Sequence, residues 1–216
     1  MAPLRENNRT NNIAVIVAHP DDETLWAGGT IMSHPLVSWF IVCLSRRDDP
    51  DRAPKFMKAL KDLKCEGIMG NLDDGPDQHP LDPDAVEQAI LDLLPPIQYD
   101  LIITHNPAGE YTRHIRHEEV GKAVINLWQT GKISSGELWS FAYEDGNKEY
   151  YPRPDENATF QRPLSKKIWL RKYNILTQTY GFEKSSFEAK TAPLTEAFWK
   201  YTAPFEVEQP VNYGGG

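Results

Sequence analysis

The chain has 216 residues, of which 40% are hydrophobic and 25% are charged, and these values are typical of a globular α/β domain. Its formal net charge of −8 argues against nucleic acid or an anionic membrane surface as the main partner. No apolar run approaches the roughly 18 residues of a membrane span, and two cysteines give no disulfide framework. The sequence therefore predicts a cytoplasmic protein with one domain over residues 1–216 and flexible tails over about 1–12 and 206–216.

Predicted strands and helices alternate along the chain. Ile13 to Ala18 is a nearly continuous apolar run, the pattern of a strand that is buried on both faces of a parallel sheet. A helix is expected after it as far as about Ser33, because Pro20 suits a first helical turn and the acids that follow suit a helix N-terminus. Further strands are predicted at 39–44, 68–69, 101–104 and 137–143, and further helices at 54–63, 82–94, 118–128 and 164–180.

The alternation predicts a three-layer, Rossmann-like, doubly wound sheet that is mostly parallel. Residues 145–163 are expected to form a loop, and about 35 residues at the end give no clear pattern. In doubly wound sheets, ligands bind beyond the carboxyl ends of the strands. Polar residues follow the first four predicted strands, namely His19 to Asp22; Arg46, Arg47 and Arg52; Asp73 and Asp74; and His105 to His117. We therefore expect the active site at this end of the sheet.

The histidines and acids in these segments have the spacing of a metal site. His19 and Asp22 lie three residues apart across a strand-to-helix corner, and His114 and His117 are also three apart. Two imidazoles and one carboxylate are a common catalytic zinc set that leaves a fourth position for water. If the first and fourth strands are neighbours, His19, Asp22 and one later histidine can converge. Asp21 would then be the general base, and the remaining histidine the general acid.

Each motif also has an alternative structural interpretation. The acids Asp21 to Glu23 are expected at a helix N-terminus, His19 alone could be an ordinary hydrogen-bonded side chain, and the HxxH pair could lie on a helix surface. Their common location at one end of the predicted sheet favours the metal interpretation.

The stretch AHPDDE, from Ala18 to Glu23, followed by GGTI, resembles the first motif of the PIG-L/LmbE-like family of zinc-dependent deacetylases. The resemblance continues in RAPKFMKALKDLKC, LDDGP and THNPAGEYTRHIRHEEVGKAV, and it covers roughly the first 145 residues. It implies a hydrolase that deacetylates an N-acetylglucosamine-type amino sugar, or a conjugate of one, as its small-molecule substrate. A homo-oligomer is also compatible with the sequence.

The resemblance also implies roles for individual residues. The implied ligands of Zn²⁺, or of another divalent ion such as Fe²⁺, are His19, Asp22 and His117. Asp21 is the implied general base, and His114 the implied general acid or oxyanion stabiliser. Arg52 is the first candidate for a substrate contact, and Arg47, Glu110 and His105 are further candidates.

The chain departs from the family pattern in its second metal motif. The family often has HPDH, whereas this chain has a basic residue, Arg116, at the aspartate position. Arg116 cannot accept a hydrogen bond from His114, and a cation there should lower the pKa of that histidine. Glu110 or Asp74 could replace the missing carboxylate. Two alternatives stay open: the same site acting on a different amide or ester, such as a thiol conjugate, and a catalytically degenerate sugar-binding protein.

Overall fold

A seven-stranded sheet forms the centre of the structure, a computed structural model that describes residues 11–203. Its first five strands are parallel: β1 (Asn12–Val17), β2 (Ser38–Cys43), β3 (Glu66–Met69), β4 (Gln98–Thr104) and β5 (Ser134–Phe141). Four strands later in the chain also pair: β6 (Tyr143–Glu144) with β7 (Arg153–Pro154), and β8 (Phe160–Pro163) with β9 (Thr195–Tyr201). β9 runs antiparallel to β5, and the sheet order is β3-β2-β1-β4-β5-β9-β8.

Helices cover both faces of this sheet. They are α1 (Asp22–Ser33), α2 (Arg52–Leu63), α3 (Pro83–Leu93), α4 (Ile115–Gln129), α5 (Lys166–Asn174), which continues into a π-helical turn at Ile175–Thr179, and α6 (Phe187–Thr191). Successive residues of β1 point to opposite faces. Val15 belongs to a core with Trp26 of α1, whereas Ile16 belongs to a second core with Val120 of α4. The predicted three-layer, doubly wound architecture is confirmed.

The strand order reverses between β1 and β4, which lie side by side with Ile16 paired to Thr104. This is the topological switch point, the place beyond the strand ends where doubly wound sheets bind their ligands. His19 follows β1 and His105 follows β4, so the fold brings both histidine-containing segments to this place. The condition for the convergence of His19, Asp22 and a later histidine, that the first and fourth strands are neighbours, is therefore met.

The C-terminal third differs most from the prediction. The segment 145–163 is not entirely a loop, because it contains β7 and β8; β8 is an edge strand that ends at Pro163, a position where proline is tolerated. The helix predicted at 164–180 begins at Lys166, after the side chain of Ser165 accepts a hydrogen bond from the Ile168 N–H. α6 and β9 occupy part of the region that gave no clear pattern.

Two further sequence predictions concern the ends of the chain and membrane insertion. Asn12, placed in a flexible tail by the sequence, is the first residue of β1, and its N–H donates to Asp100. Residues 1–10 and 206–216 of the predicted tails lie outside the described part of the chain. Among residues 11–203, no helix is both long enough and apolar enough to cross a bilayer.

Candidate active site

The β1–α1 corner separates the roles of two adjacent aspartates. Asp21 precedes α1 with a φ of 123°, a conformation that L-residues rarely adopt and that often occurs at functional sites. Its backbone carbonyl accepts the first helical hydrogen bonds, from the Thr24 and Leu25 N–H groups, but its side chain makes no capping hydrogen bond. The alternative that Asp21 caps the helix through its carboxylate is therefore wrong. Asp22 Oδ2 accepts a 2.9 Å hydrogen bond from the His19 N–H and so fixes the corner.

Three donor atoms from two distant segments meet beside this corner. His19 Nδ1 lies 3.3 Å from Asp22 Oδ2 and 3.2 Å from His117 Nε2, and the latter two atoms are 3.4 Å apart. Ligand atoms about 2.0–2.2 Å from a tetrahedral zinc ion are separated by about 3.3–3.6 Å. The spacing of the three atoms thus matches one face of a tetrahedral coordination shell.

Two carboxylates behind the imidazoles determine which ring nitrogens carry protons. His19 Nε2 donates to Asp74 Oδ1 at 3.2 Å, and His117 Nδ1 donates to Glu110 Oε2 at 2.6 Å. Each ring therefore directs its other nitrogen, with its lone pair, towards Asp22 Oδ2. Three lone pairs that face one another require a cation or a proton between them. Carboxylate partners behind metal-binding histidines are a regular feature of such sites, so this donor set fits a divalent cation.

His105 lies against the same cluster but its ring nitrogens are already used. Nε2 accepts a 3.0 Å hydrogen bond from the Ala18 N–H, and Nδ1 donates to Glu110 Oε2 at 3.0 Å. Donor atoms of Asp22, His105 and His117 also lie within 4.8 Å of one another. Because the Ala18 N–H occupies the lone pair of His105 Nε2, this second combination is a weaker candidate for holding an ion.

Glu110 and His105, which the sequence suggested as further substrate contacts, both have fully buried side chains. Glu110 accepts from His105 and His117 and, through Oε1, from the Asn106 N–H. The sequence contained one signal for this role, because Glu110 is the only acid between His105 and His117. It gave no information on which side chains the carboxylate contacts.

His114 lies beside the three donor atoms in an apolar and electropositive environment. Its ring stacks on His117 with 4.3 Å between centroids and contacts His19 edge-on at 4.6 Å. Burial, followed by the charges of His117 and His19, lowers the pKa of His114 to about 3, so the ring is neutral. Its Nδ1 is buried without a hydrogen-bond partner. The expectation that Glu110 or Asp74 replaces the missing aspartate next to His114 is therefore wrong.

Arg116 does not point towards His114 either. Its guanidinium donates to the backbone carbonyls of Asp73 and His79, in the connection between β3 and α3. The pKa of His114 falls because of burial and neighbouring imidazoles, and not because of this cation.

Of the predicted arginine contacts, Arg52 is close to the site and Arg47 is not. Arg52 Nη2 lies 3.5 Å from Asp21 Oδ2, and its side chain is 29% exposed. Burial and the charge of Asp22 raise the pKa of Asp21 well above its usual range, although Arg52 opposes this shift. The Arg47 side chain is 58% exposed and pairs with its neighbour Asp48. Its neighbour Arg46 instead donates from Nε to Asp74 at 3.0 Å.

Two further acids support the site. Asp145, after β6, accepts from the N–H and hydroxyl of Thr112, two residues before His114. Glu23, in the β1–α1 corner, accepts from the Asp21 N–H and from the hydroxyl of the distant Tyr180. No local sequence pattern predicts the contacts that Asp145 makes with Thr112 or Glu23 with Tyr180.

Comparisons with known proteins agree with this geometry. The family described as PIG-L, GlcNAc-PI de-N-acetylase, matches residues 14–128. A curated relative, an uncharacterized protein of Acanthamoeba polyphaga mimivirus, is 22% identical over 153 residues; the match covers 63% of this chain and 64% of that protein, so the chain spans less than two thirds of its length.

Two solved structures share the fold at low identity. N,N'-diacetylchitobiose deacetylase from Pyrococcus horikoshii, complexed with an inhibitor, has a TM-score of 0.69 at 16% identity and covers 94% of this chain and 88% of its own. GalB, the 4-carboxy-2-hydroxymuconate hydratase from Pseudomonas putida, has a TM-score of 0.60 at 15% identity and covers 96% and 100%. The fold therefore serves more than one reaction.

Proposed function

Because this chain belongs to the PIG-L family, we propose that it is a zinc-dependent hydrolase that removes the acetyl group from an N-acetylglucosamine-type sugar or a conjugate of one. The observation that carries the proposal is the mutual approach of His19 Nδ1, Asp22 Oδ2 and His117 Nε2 to within 3.2–3.4 Å. These three atoms would hold Zn²⁺ or another divalent ion such as Fe²⁺. A bound ion would supply a Lewis acid and a water molecule whose pKa is lowered towards about 7.

Asp21 is the general base in this proposal. It stands next to the ligand Asp22, its carboxylate is not used by the helix, and its raised pKa brings it closer to the range in which a base works at neutral pH. It accepts a proton as water adds to the amide carbonyl and returns that proton to the leaving amine. Arg52, whose Nη2 lies 3.5 Å from Asp21 Oδ2, opposes the rise of that pKa and orients the carboxylate.

His114 and Arg52 are the residues that we assign to the substrate. A neutral His114 ring, held between His117 and Tyr111, can donate one hydrogen bond to the oxygen that gains charge in the transition state. Arg52 is partly exposed beside the base and can contact the sugar. The products are acetate and a free amine. Cytoplasmic localisation and homo-oligomerisation remain predictions.

The deciding assay measures acetate release from a panel of N-acetylated amino sugars and their conjugates, with zinc and after chelation. The proposal predicts release that chelation abolishes and added zinc restores. Zinc binding without release from any member of the panel would contradict the deacetylase assignment. Turnover of non-sugar amides or thiol conjugates would instead favour the first alternative, and tight sugar binding without zinc would favour a degenerate site.

The role of Asp21 has its own test. Asp21→Asn should keep one zinc ion per chain and lose about 10²–10⁴-fold in kcat, because only proton transfer is removed. Asp77→Asn, an exposed aspartate in the connection between β3 and α3, is the matched control and should leave both quantities unchanged. Equal loss of zinc and turnover in Asp21→Asn would make Asp21 a ligand or a structural residue.

A further inference from the structure

A buried arginine near the start of α4 lies where helix electrostatics disfavour a cation. Arg116 is the second residue of α4, and its side chain is only 2% exposed. Positive charge near a helix N-terminus opposes the helix dipole, and a buried guanidinium needs partners for its N–H groups. The position of Arg116 therefore has to be explained by the groups that it contacts.

Those groups all belong to α4 itself or to the connection between β3 and α3. Arg116 Nε donates to the Asp73 carbonyl at 2.6 Å, and Nη2 donates to the His79 carbonyl at 2.8 Å. Nη1 donates to Glu119 Oε2 at 2.6 Å, and the other oxygen of Glu119 accepts from the Leu81 N–H at 2.8 Å. The Arg116–Glu119 pair thus binds the connection at three backbone positions.

This connection has no regular structure of its own. Residues 70–82 form neither helix nor strand, and a loop of this length usually depends on outside contacts or on function. It carries Asp74, the carboxylate that accepts from His19 Nε2 and so leaves His19 Nδ1 facing Asp22 and His117. Arg116 bonds the carbonyl of the residue immediately before Asp74.

We propose that Arg116 is a positioning residue for the metal site, which holds the β3–α3 connection so that Asp74 fixes the orientation and tautomer of His19. This inference rests on the proposed function, because it takes His19 as a zinc ligand. The change from HPDH to HIRH is then an exchange of roles and not a sign of decay. The aspartate beside His114 is lost, and an arginine that supports the partner of a ligand takes its position.

The first experiment compares zinc affinities, measured by competition with a chromophoric chelator on the full chain. Arg116→Met combined with Glu119→Gln removes the pair without leaving a lone buried charge. Zinc affinity should fall by about 10–100-fold, the usual effect of losing an outer-shell partner. The matched control is Arg113→Met with Glu118→Gln, which removes an Arg–Glu pair of the same segment whose arginine is 76% exposed. This control should stay within about threefold of wild type.

A second variant separates positioning from degeneracy. Arg116→Asp restores the residue that the family often has. Our proposal predicts that it weakens zinc binding and lowers kcat/KM, because Asp73, His79 and Glu119 lose their donor. A higher kcat/KM in Arg116→Asp would overturn the proposal, since it would identify Arg116 as a defect at a catalytic position.

The tautomer of His19 provides a readout that general stabilisation would not move. Imidazole ¹⁵N chemical shifts of the metal-free protein, recorded at a pH at which the His19 ring is neutral, should report a single Nε2–H tautomer for His19 in wild type and a mixture in the double variant. If that variant does not fold, Arg116→Lys replaces it, because lysine keeps the charge but donates from a single nitrogen and so cannot reach all three acceptors of the guanidinium. Wild-type zinc affinity and an unchanged His19 tautomer in the variants would refute the proposal. Absence of zinc binding in wild type would instead refute the proposed function. The His19 tautomer would then still test whether the Arg116–Glu119 pair holds Asp74 in place.

Discussion

The two segments that meet at the candidate metal centre are built in different ways. At the β1–α1 corner, His19 and Asp22 are three residues apart, and Asp22 aligns the corner by accepting from the His19 N–H. The segment after β4 reaches His117 through ten residues without helix or strand, and it depends on the buried acids Glu110 and Asp145. The backbone of the short corner is fixed by local contacts, and of its two proposed ligands only the His19 ring also pairs with a distant carboxylate, Asp74, whereas the longer segment depends on tertiary contacts throughout. The two should therefore respond differently to substitution.

The largest effect is expected at the corner. Asp22→Ala removes a proposed ligand together with the acceptor of the His19 N–H. Zinc affinity should therefore fall by more than about 100-fold, the upper end of the usual loss when a residue that only contacts a ligand is removed. Chelator competition measures this, and thermal unfolding confirms that the variant is folded. Zinc binding within tenfold of wild type would show that Asp22 is not a ligand.

The segment after β4 should make the metal-free protein sensitive to acid. Burial acts to raise the pKa of Glu110, but the charges of His105 and His117 outweigh it and lower the pKa to about 2. A pKa below its unfolded value of about 4.3 contributes stability that is present above pH 4.3 and is lost as pH falls towards 2. The loss should be about 3 kcal/mol in the free energy of unfolding.

Urea unfolding between pH 6 and pH 2 tests this dependence. Glu110→Gln should have a shallower slope below pH 4.3 than wild type, because the contribution of this one carboxylate is removed, while the control Glu156→Gln, which changes an exposed side chain, should keep the wild-type slope. A wild-type slope in Glu110→Gln would show that this carboxylate does not carry the acid sensitivity.

The two outer carboxylates should differ in their effect on zinc affinity. Glu110 holds two imidazoles and a backbone N–H, whereas Asp74 holds only His19 among the imidazoles. Glu110→Gln should therefore lie near the upper end of the about 10–100-fold range, and Asp74→Asn near the lower end. Isothermal titration of both variants with zinc gives the comparison. A larger loss of zinc affinity in Asp74→Asn than in Glu110→Gln would mean that the β1–α1 corner depends on tertiary contacts more than the segment after β4 does.

The smallest effect is expected from Asp145, which holds Thr112 at some distance from the donor atoms. Asp145→Asn replaces one of two good acceptors, so kcat/KM should fall by about 2–10-fold, the cost of one weakened hydrogen bond. Zinc affinity should stay unchanged. Asp155→Asn, directly after β7, is the control and should leave both kcat/KM and zinc affinity unchanged. A loss of zinc binding in Asp145→Asn would contradict this and show that Asp145, like Glu110, is needed to hold the proposed ligands in place.

Much of the corner could be predicted from the sequence, because AHPDDE places its functional groups next to one another after a recognisable buried strand. The neighbouring position of β1 and β4 was only a condition of the sequence argument, because the alternation of elements does not determine the order of strands in the sheet. The roles of Glu110, Asp74 and Arg116 could not be predicted, since each acts on a residue from another part of the chain and the direction of a side chain is not encoded in spacing. Arg116 was therefore expected near His114, whereas it contacts the β3–α3 connection.

The central claim concerns one cluster of three atoms, and crystallography of the protein with zinc, using anomalous diffraction at the zinc absorption edge, tests it most directly. The account predicts a single strong site about 2.0–2.2 Å from His19 Nδ1, Asp22 Oδ2 and His117 Nε2, with Asp21 and His114 outside the ligand set. A zinc ion bound by His105, or an absence of anomalous signal between these three atoms at saturating zinc, would contradict it.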